Sequence, residues 1–147
     1  MITRLLKPTA NDLAKLGQLH TQKAGTLEGD AQKEELKNAD VAYEDLQNRY
    51  ENAIEYATFM RARVNSYQDP DQKLGLALPF YQKLEEMIAP KETKDKADNA
   101  RLIEAYRYMI SYYYVAKDDK AKATEFAHKL LKIDPENDIA KQVLGVK

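Results

Sequence analysis

The chain has 147 residues, 23 of them basic and 24 acidic, for a net charge of −1. That balance argues against a nucleic-acid domain, whose phosphate contacts need clustered Lys and Arg, and no stretch approaches the roughly 20 apolar residues of a membrane helix. The lack of Cys removes disulfides, thiolate nucleophiles and thiolate zinc sites, and five glycines and five prolines, most of them between periodic segments, suit helices joined by short turns.

The first residues, M-I-T-R-L-L-K-P-T, lack the apolar core and cleavage site of a signal peptide. Met1 leads almost directly into a helical pattern, as in a piece cut from a longer array. Any export signal would then lie upstream, and the expected compartment is cytoplasmic or periplasmic.

Periodicity predicts seven helices. The first runs from about Thr9 to Lys23, opened by Pro8 and Thr9, with Leu13, Leu16, Gly17 and His20 on one face. A polar loop containing Gly25 and Gly29 leads to the second, about Ala31 to Tyr50. Asn52 marks a turn into the third, Ala53 to Tyr67, which Asp69-Pro70-Asp71 breaks because Pro disfavours helical geometry at the residue before it. The fourth, about Gln72 to Ile88, contains Gly75 and Pro79, so a bend or a late start is expected there. After a charged linker the fifth covers Ala97 to Ala116 and the sixth Asp119 to Lys132, with Asp118-Asp119 placed to cap it. The seventh starts near Asn137 and stops near Gly145.

A hairpin pattern recurs along these elements. Gly17, Ala62 and Ser111 occupy a small-residue site on the first helix of each pair, and Ala39, Ala77 and Ala123 occupy one on the second. Behind the alanines come Tyr43, Tyr81 and Ala127, then Leu46, Leu84 and Leu130. Small residues suit levels where two helix axes approach closely. The clearest copy is the run from Ala105 to Asn137, which closes at Asp134-Pro135.

In these features the chain resembles the tetratricopeptide (TPR) repeat, and the C-terminal units of a bacterial-type array in particular. The resemblance covers nearly the whole chain. It implies a single all-α domain over 1–147, with units at about 9–50, 52–89 and 97–135 and a capping helix at 137–145. It also implies antiparallel hairpins stacked in a right-handed superhelical arc. The units run longer than the usual ~34 residues.

Chemistry is sparse. His20 and His128 have no partner at metal-ligand spacing, and His20 reads as a packed histidine. Asp69-x-Asp71-x-Lys73 fails as a calcium loop, because Lys stands where an oxygen ligand is needed. Neighbouring carboxylates such as Glu85-Glu86 do not face each other on a helix. No phosphate loop or nucleophile elbow occurs, so neither catalysis nor a cofactor is expected.

The resemblance implies a non-catalytic scaffold that binds a protein or peptide in its concave groove, lined by the first helices of the hairpins. Tyr56, Phe59, Arg63 and Tyr67 would supply one helix of that groove, and Tyr108 and Tyr112 another. Aromatic and Arg side chains are the usual anchors of such surfaces. The same tyrosines would equally serve as packing shared between hairpins. The family's chaperone-tail receptors clamp a carboxylate with Lys and Asn, and here Ala14 and Gln18 stand at those places. Other readings are a structural segment without a ligand of its own, a small-ligand carrier or enzyme using His20 or a tyrosine pocket, and self-association through an uncapped N-terminal edge.

Overall fold

The computed structural model describes residues 7–145, so Met1–Leu6, on which the reading of the N-terminus rests, lies outside the described residues. Among the described residues there are seven α-helices and no strand: α1 (Ala10–Ala24), α2 (Gly29–Arg49), α3 (Ile54–Gln68), α4 (Leu78–Ile88), α5 (Lys96–Ser111), α6 (Lys120–Ile133) and α7 (Asp138–Leu144). A 3-10 turn, Glu51–Ala53, precedes α3, and a π-helical turn, Tyr112–Ala116, follows α5. The chain divides into two compact units, one ending at Pro70 and the other beginning at Asp71.

Local chemistry sets most helix ends. Thr9 Oγ1 accepts from the Asp12 N–H at 3.0 Å while the Asp12 carboxylate accepts from the Thr9 N–H at 2.9 Å, a capping box that satisfies two orphan donors. Asp95 and Asp98 repeat the device at α5. Asp119, as its sequence position suggests, caps α6 by accepting from the Lys122 N–H at 3.0 Å. Asn137 caps α7, and Gly145 ends it in the left-handed region at φ 68°.

Two expected boundaries move. The fourth helix does not start at Gln72. Gln72 and Gly75 have left-handed backbones, φ 61° and 65°, and Pro79 sits in the first turn of a helix that begins at Leu78. Proline favours that position because the N–H it lacks would be unpaired there anyway. The fifth helix does not run regularly to Ala116. Beyond Ser111 it widens, and the Lys117 N–H reaches the carbonyl of Tyr112, five residues back, at 3.1 Å.

In the first unit α1, α2 and α3 pack consecutively. Gly17 meets Tyr43, His20 meets Glu35 and Ala24 meets Gln32, so rising numbers on α1 face falling numbers on α2 and the pair is antiparallel. A methyl added at Gly17 would stand 2.5 Å from the Tyr43 ring, which is itself fully buried. The close approach therefore exists only because position 17 has no side chain. Around it lie Leu13, Leu36, Ala39, Leu46, Ala57 and Val64, all buried. The Tyr50 hydroxyl donates to the Pro8 carbonyl and ties the end of α2 to the start of α1.

The second unit repeats the logic with different fillers. Ala77, Ala123 and Ala127 have no exposed surface, nor do Leu84 and Leu130. Between α4 and α5 the linker is held by Lys91, whose ammonium bonds the Asp98 carboxylate at 2.9 Å. That bond, ahead of the Asp95 N–H, holds the Asp98 carboxyl below the ordinary carboxylate range against the opposing effect of desolvation.

Two outcomes follow from this packing. Gly17→Ala gains about 1 kcal/mol of helix propensity but overpacks the Tyr43 contact by about 1–3 kcal/mol, and chemical denaturation should show a net loss of stability. An unchanged or raised midpoint would mean the ring can move aside. Asp98 contributes stability above the ordinary aspartate pKa of about 3.9, and this is lost as pH falls through its lower folded value. The melting temperature of Asp98→Asn should therefore lie below that of the parent at neutral pH and converge with it in acid. A gap independent of pH would contradict the ion pair.

Candidate binding surfaces

On α3 the sequence spaces Tyr56, Phe59, Arg63 and Tyr67 by three and four residues, which places them along one stripe. Tyr56 is 37% exposed and Tyr67 53%, and Phe59 and Arg63 are half-buried. The Arg63 guanidinium carbon lies 4.3 Å from the centroid of the Phe59 ring, a cation–π arrangement that holds both groups in place. The Tyr56 ring meets Tyr43 edge-on, with centroids 6.4 Å apart.

A polar network on the opposite side fixes the rotation of α3. Arg61 forks onto both oxygens of Asp40 at 2.9 and 3.2 Å, and also donates to Gln47 at 3.1 Å and Glu44 at 3.2 Å. Asn65, one turn on, donates to Asp40 at 3.0 Å. Side chains two apart on a helix point to opposite faces. With Arg61 clamped to α2, Arg63 is turned outward. The clamp went unread in the sequence, although Asp40 with Glu44 and Arg61 with Asn65 each stand four apart.

The stripe ends at an open cleft of about 600 Å³ in the same unit. Thr21, Ala24 and Gly25 from the end of α1, Gln32 and Leu36 from the start of α2, and Ser66 and Tyr67 from the end of α3 line it. His20 and Glu35 lie outside this lining, joined Nδ1 to Oε2 at 2.6 Å, with the Lys23 ammonium 3.4 Å from the other carboxylate oxygen. The His20 bond, first among the causes, holds Glu35 below the ordinary carboxylate range. His20 is thus a paired residue, and its partner is a carboxylate from another helix. Among the described residues no group of three or more His, Cys, Asp or Glu converges as a metal site would need.

Tyr108 and Tyr112 differ from the exposed positions expected of them. Each is only 7% exposed. Tyr81 lies against Tyr108 with centroids 4.8 Å apart, and Tyr108 stacks on Tyr112 at 6.2 Å. The loop before α4 covers the other side. Gly75 sits so close to Tyr112 that an added methyl would stand 2.9 Å from the ring, and Gln72 accepts from Ser111 at 2.6 Å while donating to the Tyr108 carbonyl at 3.2 Å. The left-handed turns at Gln72 and Gly75 are what bring this loop over the tyrosines.

Helical hairpins with small residues at their crossings define a TPR-like fold, and one solved structure agrees. The chain is similar to the C-terminal part of a TPR repeat-containing protein from Cytophaga hutchinsonii, with 32% identity and a TM-score of 0.77. The match covers 94% of this chain and 48% of that one, so the chain spans about half the length of the structure it resembles. No family model matches the sequence, and no curated protein does. The chain has a TPR-like helical repeat fold. No described helix is long and apolar enough to cross a membrane.

Tyr43, at the centre of the first unit, carries a buried hydroxyl with no partner at hydrogen-bond geometry, although the Thr21 and Tyr56 hydroxyls lie near enough to influence its titration. Burial is the main cause that pushes its pKa up to about 12. An unsatisfied buried hydroxyl costs about 1–3 kcal/mol, so Tyr43→Phe should leave the melting temperature unchanged or raise it. A clear drop would show that the hydroxyl is bonded, for example by a buried water.

Proposed function

We propose that the chain is a non-catalytic scaffold that binds a protein or peptide, and that α3 carries its recognition stripe. The observation that supports this most directly is the position of Tyr67, which belongs both to the stripe and to the lining of the cleft. A ligand segment lying along Tyr56, Phe59 and Arg63 could place a side chain in the cleft beside Tyr67. The rings offer apolar area with little conformational entropy to lose, and Arg63 can meet an acidic group. Tyr108 and Tyr112 then act as packing that supports α5, and are not themselves contact residues. The TPR protein of Cytophaga hutchinsonii lends support at the level of fold alone.

A second reading, self-association along α1, is favoured by Leu16 and Leu19, three apart on that helix and 41% and 61% exposed. They present an apolar edge to which a further helical pair or a second copy could stack. Sedimentation velocity would show a concentration-dependent dimer that Leu16→Glu with Leu19→Glu abolishes. A chain monomeric throughout would remove this reading.

The main proposal is tested by panning a displayed random-peptide library on the chain. Enriched peptides should lose about tenfold or more in affinity on Tyr67→Ala or Arg63→Ala, the loss expected of binding anchors, with the melting temperature unchanged. Failure to enrich any peptide, or binding indifferent to both substitutions, would contradict it.

A further inference from the structure

The second unit contains a pocket that the stripe on α3 does not touch. It has a volume of about 370 Å³, within the usual range of roughly 300–1,000 Å³ for ligand sites. Ala89 at the end of α4, Leu102 and Tyr106 on α5, and Ile133 on α6 form an apolar floor. Leu102 and Tyr106 are buried and Ile133 is half-buried. Around the rim stand three lysines, Lys94, Lys129 and Lys132, and one carboxylate, Glu85.

The charges on this rim do not cancel. Glu85 is already committed. It accepts from the Lys129 ammonium at 3.0 Å and lies beside the Tyr106 hydroxyl, whose pKa is raised by burial first and by this carboxylate second. Lys129 is further held over the Phe126 ring, 5.0 Å from its centroid. Among the described residues Lys94 bonds only a neutral group, the Lys91 carbonyl at 2.8 Å, and the nearby Lys91 ammonium is itself taken by Asp98. Lys132 is exposed and bonds no carboxylate among the described residues. Among the described residues two ammonium groups therefore have no carboxylate bonded to them over an apolar floor, on a chain whose net charge is −1. Low-dielectric walls beneath like charges concentrate their field and favour a counter-ion.

The geometry points to this pocket as a docking site for an acidic peptide segment of a partner protein, in which carboxylates flank an aliphatic side chain. The aliphatic group fills the space between Ala89, Leu102 and Ile133, and the carboxylates meet Lys94 and Lys132. Charge complementarity selects this occupant. A purely apolar segment would leave both ammonium groups unpaired at its edge, and a basic one would be repelled.

The test uses the full chain and two end-blocked fluorescent peptides, one with glutamates flanking a leucine and one with glutamines in their place. Anisotropy titrations should show the glutamate peptide binding about tenfold or more tighter, with an affinity that falls as salt is raised. Lys94→Glu combined with Lys132→Glu should weaken that binding by about tenfold or more and leave the melting temperature unchanged. Lys37→Glu, an exposed change on α2, should leave binding alone, as should Tyr67→Ala. Equal affinity for the two peptides, binding that survives the double change, or an equal loss with Lys37→Glu would overturn the assignment. Loss of binding with Tyr67→Ala alone would also overturn it, placing the acidic peptide on α3 and leaving the earlier proposal intact.

Discussion

The close approach of α1 and α2 at Gly17 is the contact on which the first unit depends. The Tyr43 ring occupies the space where any other side chain at position 17 would stand. A small residue on one helix lets a large one on its neighbour reach through, and the core then builds outward through Leu13, Leu36, Leu46 and Val64. The second unit meets the same requirement with Ala77, Ala123 and Ala127, each fully buried. Hairpins built this way bury one face and leave the other to polar and aromatic side chains.

What each unit leaves exposed follows from how that packing is locked. In the first unit the lock is the Arg61 fork on Asp40, which sets the rotation of α3 and with it the stripe Tyr56, Phe59, Arg63 and Tyr67 on the side of the helix away from Arg61. The ion pairs are partly exposed, so their contribution to stability is modest; their consequence is orientational. In the second unit the Gln72–Gly75 loop locks α5 by covering Tyr108 and Tyr112. The same tyrosine-rich pattern thus yields an exposed stripe in one unit and a packed ladder in the other.

The local rules were readable in advance. Thr9, Asp119, Asn137 and Gly145 act within four residues of themselves, and the structure finds each at a helix end. The buried alanines were readable because their spacing repeats. Features that join distant parts of the chain were not. Nothing near Tyr108 announces that a loop some 36 residues earlier turns left-handed at Gln72 and lies over it. Tyrosine gave no guidance of its own, since an amphipathic ring serves equally well buried or half-exposed. The carboxylate partner of His20 comes from another helix, and the rim lysines of the second unit come from a linker and from α6, so neither grouping has a spacing to detect.

A double-mutant cycle between Gly17→Ala and Tyr43→Leu tests the central contact most directly. If the ring and the absent side chain share one space, the cost of Gly17→Ala should largely vanish once Tyr43 is leucine. Urea denaturation would then give a coupling energy of about 1 kcal/mol or more, as residues in contact show. Strictly additive costs would contradict the account, because they would mean that Gly17 is required for some reason other than the approach of Tyr43.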